Sequence, residues 1–139
     1  MTNLKLKFNN NEVTQLPLFA LVNEPDAEVL EAFRERQLVF DGLIASHSAN
    51  DVLLVIAIND VIYRYRIGWS APYSESVTQA KDIAVQIIEQ SPMDSQAIQT
   101  LIQAVYTFWF DESFAENVSI DACEKILVIY QQYLAGKYP

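Results

Sequence analysis

Few side chains in this sequence have both the type and the surroundings for chemistry. His47 is the one histidine, set between Ser46 and Ser48, a pairing that suggests a base beside a hydroxyl nucleophile. No nucleophile-elbow motif accompanies it and no acid is placed to orient the ring, so His47 reads as a surface-loop residue. Cys123 is the one cysteine. It falls on the apolar stripe of a predicted helix, beside Asp121 and Glu124, which would raise its pKa, so it reads as a small core hydrophobe. Asp111, Glu112 and Glu116 could serve as acid and base or hold a hard cation, but their spacing is not that of a calcium loop. A zinc site needs three or four ligands, and His47 and Cys123 are the only nitrogen and sulfur candidates. A disulfide is excluded, and the three glycines (Gly42, Gly68, Gly136) are too scattered for a phosphate-cradling loop. The sequon Asn117-Val118-Ser119 would be idle in a cytosolic chain. No catalytic residue, metal or cofactor is therefore expected, and the reading is non-enzymatic.

Two patterns point to binding instead. Ten of the 18 acidic residues lie in two stretches: Glu24, Asp26, Glu28, Glu31 and Glu35, then Asp111, Glu112, Glu116, Asp121 and Glu124. Such clusters are either solvated faces or docking faces for a basic partner. The second pattern is Arg64 and Arg66 followed by Trp69 and Tyr73, residue types enriched at binding hot spots. The expected partner-binding residues are thus Arg64, Arg66, Trp69 and Tyr73 as anchors, with Glu24, Asp26, Glu28 and Glu31 steering the encounter.

The elements that must carry these residues follow from periodicity. Leu4, Leu6 and Phe8 alternate with Lys5 and Lys7, which predicts an edge strand. Asn23-Glu24-Pro25-Asp26 starts a helix with proline and acids at its positive end, ending near Arg36 or Gln37. Leu38–Ala45, with Gly42 and β-branched or aromatic residues, reads as a strand. Between Asp51 and Gly68, two apolar runs flank Asn59-Asp60, which suits a two-residue hairpin turn. In that register Ile58, Ile56, Leu54 and Val52 oppose Val61, Tyr63, Tyr65 and Ile67 on one apolar face, with Arg64 and Arg66 on the other.

Three helices are predicted beyond it. The first is capped by Ser76 and Gln79 and broken by Ser91-Pro92. The second runs from Pro92 or Ser95 to about Phe110. Its apolar stripe is Ile98, Leu101, Ile102, Val105, Phe108 and Trp109, and its other face (Gln96, Gln99, Thr100, Gln103, Thr107) is uncharged, which fits contact with another surface. The third starts near Ser119, ends at Gly136 and is apolar over much of its circumference, as a central or dimer-shared helix would be.

With 139 residues, the chain is expected to be a single α+β domain over 1–139. Its small antiparallel sheet, an N-terminal strand plus a 51–67 hairpin meander, would pack on three C-terminal helices. The helix–three-strand–helix order between Asp26 and Gln90, the small size and the acidity resemble type III secretion chaperones. That resemblance implies a dimeric α+β protein that binds a partner polypeptide. The two helices after Gln90 depart from that family, and no motif transfers its residues here.

The net charge of −9 disfavours nucleic acid and anionic membranes, and it favours a basic protein partner. The longest apolar run, Val52 to Ile58, is too short to span a bilayer. The opening Met-Thr-Asn-Leu-Lys-Leu-Lys-Phe lacks the apolar core of a signal peptide. A cytoplasmic location is expected. These features suit a non-enzymatic, acidic protein-binding inhibitor, an immunity protein or a phage-encoded anti-defence protein, that occludes its partner stoichiometrically. The alternatives are a dimeric chaperone or adaptor of the secretion-chaperone kind, or a domain binding a small anionic ligand through Arg64, Arg66 and the tyrosines. A homodimer through the C-terminal helices is also expected.

Overall fold

The computed structural model describes residues 6–8, 11–13, 27–67, 72–110 and 118–136, and among them the chain is helical. The predicted α+β architecture is overturned. Among the described residues, strand pairing is confined to β1 (Leu6–Phe8) and β2 (Asn11–Val13), an antiparallel pair with Leu6 opposite Val13 and Phe8 opposite Asn11. Two strands of three residues each provide no sheet on which helices could pack.

Both internal strand predictions are corrected to helix. Leu38–Ala45 does not pair; α1 (Ala27–Ile44) continues through it. The reason is packing at helical spacing: Phe40 is buried with Val39, Leu43 and Ile44 around it, against Val52, Leu53 and Ile56. Gly42 sits in open space on the outer side, where no side chain is needed. The hairpin at 51–67 is likewise one helix, α2 (Ala49–Tyr65). Its start is a genuine cap: the Asp51 N–H donates to Ser48 Oγ at 3.3 Å. Arg66 closes it in the left-handed conformation (φ 51°), donating its N–H to the carbonyls of Ile62 and Tyr63.

α2 is apolar on every side because it is the central element, buried all round as such a helix must be. Its neighbours are α1, α3 (Val77–Gln90) and α5 (Ile120–Ala135). α4 (Ser95–Trp109) closes a ring in which α2, α3, α4 and α5 each touch the next. The main core is inside that ring: Leu54, Ile58 and Val61 of α2 meet Ile83 and Ile87 of α3, Ile98 and Ile102 of α4, and Cys123 and Ile126 of α5. α1 docks outside it, on α2 and on a short 3-10 turn at Tyr73–Ser76. With α2 helical, the element order that resembled secretion chaperones is gone.

The three C-terminal helices lie where periodicity places them. α3 ends at Ser91, in the left-handed conformation (φ 49°). α4 is capped by Asp94, whose carboxylate accepts the Ala97 N–H at 2.8 Å. α5 is capped by Ser119, which accepts the Ala122 N–H at 3.1 Å, and closed by Gly136 at φ 70°. One expected cap differs: Ser76 makes no capping bond to α3 and instead donates its hydroxyl to Asn59 Oδ1 at 2.7 Å. The central helix is thus α2, and α5 takes an outer place in the ring.

Candidate functional site

The residues nominated from the sequence that lie among the described ones sit on different elements. Arg64 is exposed in the last turn of α2, and Arg66 is its exposed C-cap. Tyr73 is 1% exposed and so is an interior ring. Glu31 is exposed and pairs with Arg34 one turn on, at 3.1 Å. Glu28 lies in α1. Glu24, Asp26 and Trp69, like Asp111, Glu112 and Glu116, lie outside the described residues.

Tyr73 instead belongs to a buried polar network. Asp60, fully buried on α2, receives Arg36 of α1: Nε donates to Oδ1 at 3.0 Å and to Oδ2 at 3.1 Å, and Nη2 donates to Oδ2 at 3.0 Å. The Tyr73 hydroxyl donates to Asp60 Oδ1 at 2.6 Å. Next to it, Asn59 Nδ2 donates to the Tyr73 carbonyl at 2.9 Å. At the surface end, the Ser74 N–H donates to Glu35 at 2.8 Å. Burial, and then the Asp60 carboxylate, hold the Tyr73 hydroxyl proton well above the usual tyrosine range. These polar atoms satisfy one another, so the network clamps α1 and the 3-10 turn onto α2.

His47 is exposed in the α1–α2 connection, with Nδ1 3.1 Å from the Leu43 carbonyl and 3.0 Å from Ser46 Oγ, so it finishes the end of α1. Cys123 is buried in the core, and burial, with Glu124 adding, pushes its thiol up to about 11. Among the described residues, no group of three or more His, Cys, Asp or Glu side chains is placed to hold a metal ion. No helix among them is long and apolar enough to cross a membrane.

The surface feature that stands out is an open trench of about 440 Å³ between α3 and α4. α3 contributes Asp82, Gln86 and Gln90, one residue per turn. α4 contributes Ala97, Thr100, Leu101, Ala104, Val105 and Phe108. The alanines explain the trench: side chains of one carbon leave the two helices touching deep inside but apart at the surface. Of the uncharged α4 face read from the sequence as a contact surface, Thr100 lines this wall, and the rest of the wall comes from alanines and the apolar stripe.

The C-terminal end of α4 carries three consecutive rings, and all are exposed: Phe108 at 79%, Trp109 at 41% and Phe110 at 48%. Phe108 and Trp109 were expected on the inward stripe; that stripe ends at Val105 and Tyr106. Successive residues on a helix are about 100° apart, so three neighbours cannot all point inward. That geometric signal was available in the sequence. Phe108 and Trp109 meet edge to face, with centroids 5.7 Å apart and planes at 89°. The Trp109 indole N–H donates to Asp82 Oδ2 at 2.6 Å, tying the end of α4 back to α3. A carboxylate, two amides, a hydroxyl and an exposed ring thus line one open trench. Comparison of the chain with family models, with curated proteins and with solved structures finds no match.

Proposed function

We propose that this chain is a non-enzymatic binding protein that occludes a partner polypeptide stoichiometrically, as an immunity or anti-defence inhibitor does, and that the α3–α4 trench is its docking edge. The observation that carries this reading is the exposure of Phe108, Trp109 and Phe110 at one end of the trench. Grouped apolar rings left in water mark interaction surfaces, and aromatic residues dominate the energetics of such surfaces. The net charge of −9 supports a basic partner, through steering of the encounter. A reducing, cytoplasmic setting suits the buried free thiol of Cys123.

The test is affinity capture from the source cell by the full chain and by its Phe108→Ser and Ala104→Glu variants, both at solvent-exposed positions. The reading expects a partner retained by the parent chain and lost by both variants. That partner, once purified, forms an equimolar complex in which its own activity falls in proportion to the complex formed. A partner that the variants retain equally refutes the docking edge. A partner chemically changed on contact refutes the non-enzymatic reading.

A further inference from the structure

The trench has an unusual charge pattern for a docking edge. Among the described residues, Asp82 is the only charged residue that lines it. Its immediate neighbour Lys81 does not offset it, because Lys81 lines a small cleft with His47 and Asp51 instead. The one hydrogen bond that Asp82 receives comes from the neutral indole of Trp109, and no ion pair forms at Asp82 among the described residues. Asp82 is half-buried, so water still solvates the carboxylate in the free protein.

Any segment that fills the trench removes that water. A purely apolar segment would leave a desolvated carboxylate with one neutral donor, and an uncompensated buried charge opposes binding. An acidic segment would add repulsion. A segment that presents a cation there replaces the lost water with an ion pair. It also brings that cation beside the rings of Trp109 and Phe108, which attract positive charge over their faces.

Resting on the docking-edge reading, we propose that the trench takes an amphipathic, basic segment of its partner and seats one arginine side chain at Asp82. The segment's apolar residues lie along Leu101, Ala104 and Phe108. Gln86, Gln90 and Thr100 supply polar contacts at the two rims. Arginine fits better than lysine because its guanidinium is planar, weakly hydrated and able to stack on a ring while donating to a carboxylate.

The probe is a capped amphipathic helical peptide of alanine, leucine and glutamine with one central arginine. A second peptide carries citrulline at that position, which keeps the shape and removes the charge. Both are titrated into the isotopically labelled full chain and followed by amide and indole resonances. The arginine peptide is expected to shift Asp82, Gln86, Thr100, Ala104, Phe108 and the Trp109 indole N–H, and to bind about tenfold more tightly than the citrulline peptide. Asp82→Asn should abolish that difference. Glu124→Gln, which removes one charge from the exposed side of α5, should leave it intact. If both peptides bind the trench equally, the trench docks a polypeptide but Asp82 does not select a cation; this proposal falls and the docking edge stands. If the arginine peptide produces shifts scattered over other acidic surface, or none, the proposal and the docking edge fall together.

Discussion

Replacing Arg36 with methionine keeps most of the side-chain length and removes the guanidinium that faces Asp60. Three donor contacts at 3.0 to 3.1 Å vanish, while the Tyr73 hydroxyl still donates to the carboxylate. Arg36 is 3% exposed and Asp60 is 0% exposed, so water cannot replace the lost donors without opening the structure. Breaking a buried ion pair from one side costs roughly 3–5 kcal/mol, a large share of the ~5–15 kcal/mol that holds a domain of this size together. The fold offers one way to reduce that cost. Among the described residues, α1 packs chiefly on α2 and the 3-10 turn, while the four-helix ring has its own core. If α1 undocks, Asp60 regains water, so the measured loss is capped by the free energy that holds α1 in place. Urea unfolding of Arg36→Met should therefore show a loss of several kcal/mol. Hydrogen exchange should quicken across α1 before it quickens in α3, α4 or α5. Arg36→Met combined with Asp60→Leu should recover much of the loss, because the variant no longer buries a carboxylate without its guanidinium. A single variant within about 1 kcal/mol of the parent, with α1 still protected, would refute the view that this pair is the clamp.

Further outcomes are expected elsewhere. The Tyr106 hydroxyl is buried without a hydrogen-bond partner, and burial drives its proton affinity up. Tyr106→Phe should leave stability unchanged or raise it by about 1–2 kcal/mol in the same urea assay, and a loss of that size would mean that the hydroxyl has a partner. Burial raises Tyr73, Tyr106 and Cys123 above their ordinary values of 10.0, 10.0 and 9.0. Their native states keep the proton where the unfolded chain releases it, so their contribution is full below those ordinary values and declines as pH rises through them. The melting temperature should fall between about pH 8 and about pH 11, and equal values at the two would contradict the burial of these groups. On α5, Val128 and Leu134 remain 51% and 65% exposed. If the chain dimerises through its C-terminal helices as its sequence leads one to expect, light scattering should show dimer mass in the parent chain and monomer mass in Val128→Asp/Leu134→Asp.

Three helices that face water on one side were legible, α2 was not, and α1 was legible only over its first half. α3, α4 and α5 each bury a single stripe, so their apolar residues recur at helical spacing and their ends carry recognisable signals: Asp94 and Ser119 as caps, Gly136 as terminator. α2 is buried all round, and a continuous apolar run has no period from which to tell a strand from a helix. Its valines and isoleucines then favoured a strand on propensity, which tertiary packing readily overrides. The counter-signal was Ser48 followed three residues later by Asp51, immediately before the run, a pattern that opens a helix and that the structure uses as a cap.

Asn59-Asp60 misled for a physical reason that also explains the architecture. Two polar residues inside an apolar run are either at a surface turn or buried with partners, and the partners lie far away in sequence: Arg36 lies 24 residues earlier, and Tyr73 and Ser76 lie 13 and 17 residues later. No local pattern reveals such pairing. Once α2 is central, however, the same two residues become what orients its surroundings, because hydrogen bonds accept only one geometry where apolar contacts accept many. Asp60 fixes α1 through Arg36, and Asn59 fixes the 3-10 turn through the Tyr73 carbonyl and Ser76. That turn leads directly into α3, the helix that carries Asp82. The polar pair buried in the middle of the chain thus sets where one wall of the trench begins, and the rings of α4 are held against that wall by the bond from Trp109 to Asp82.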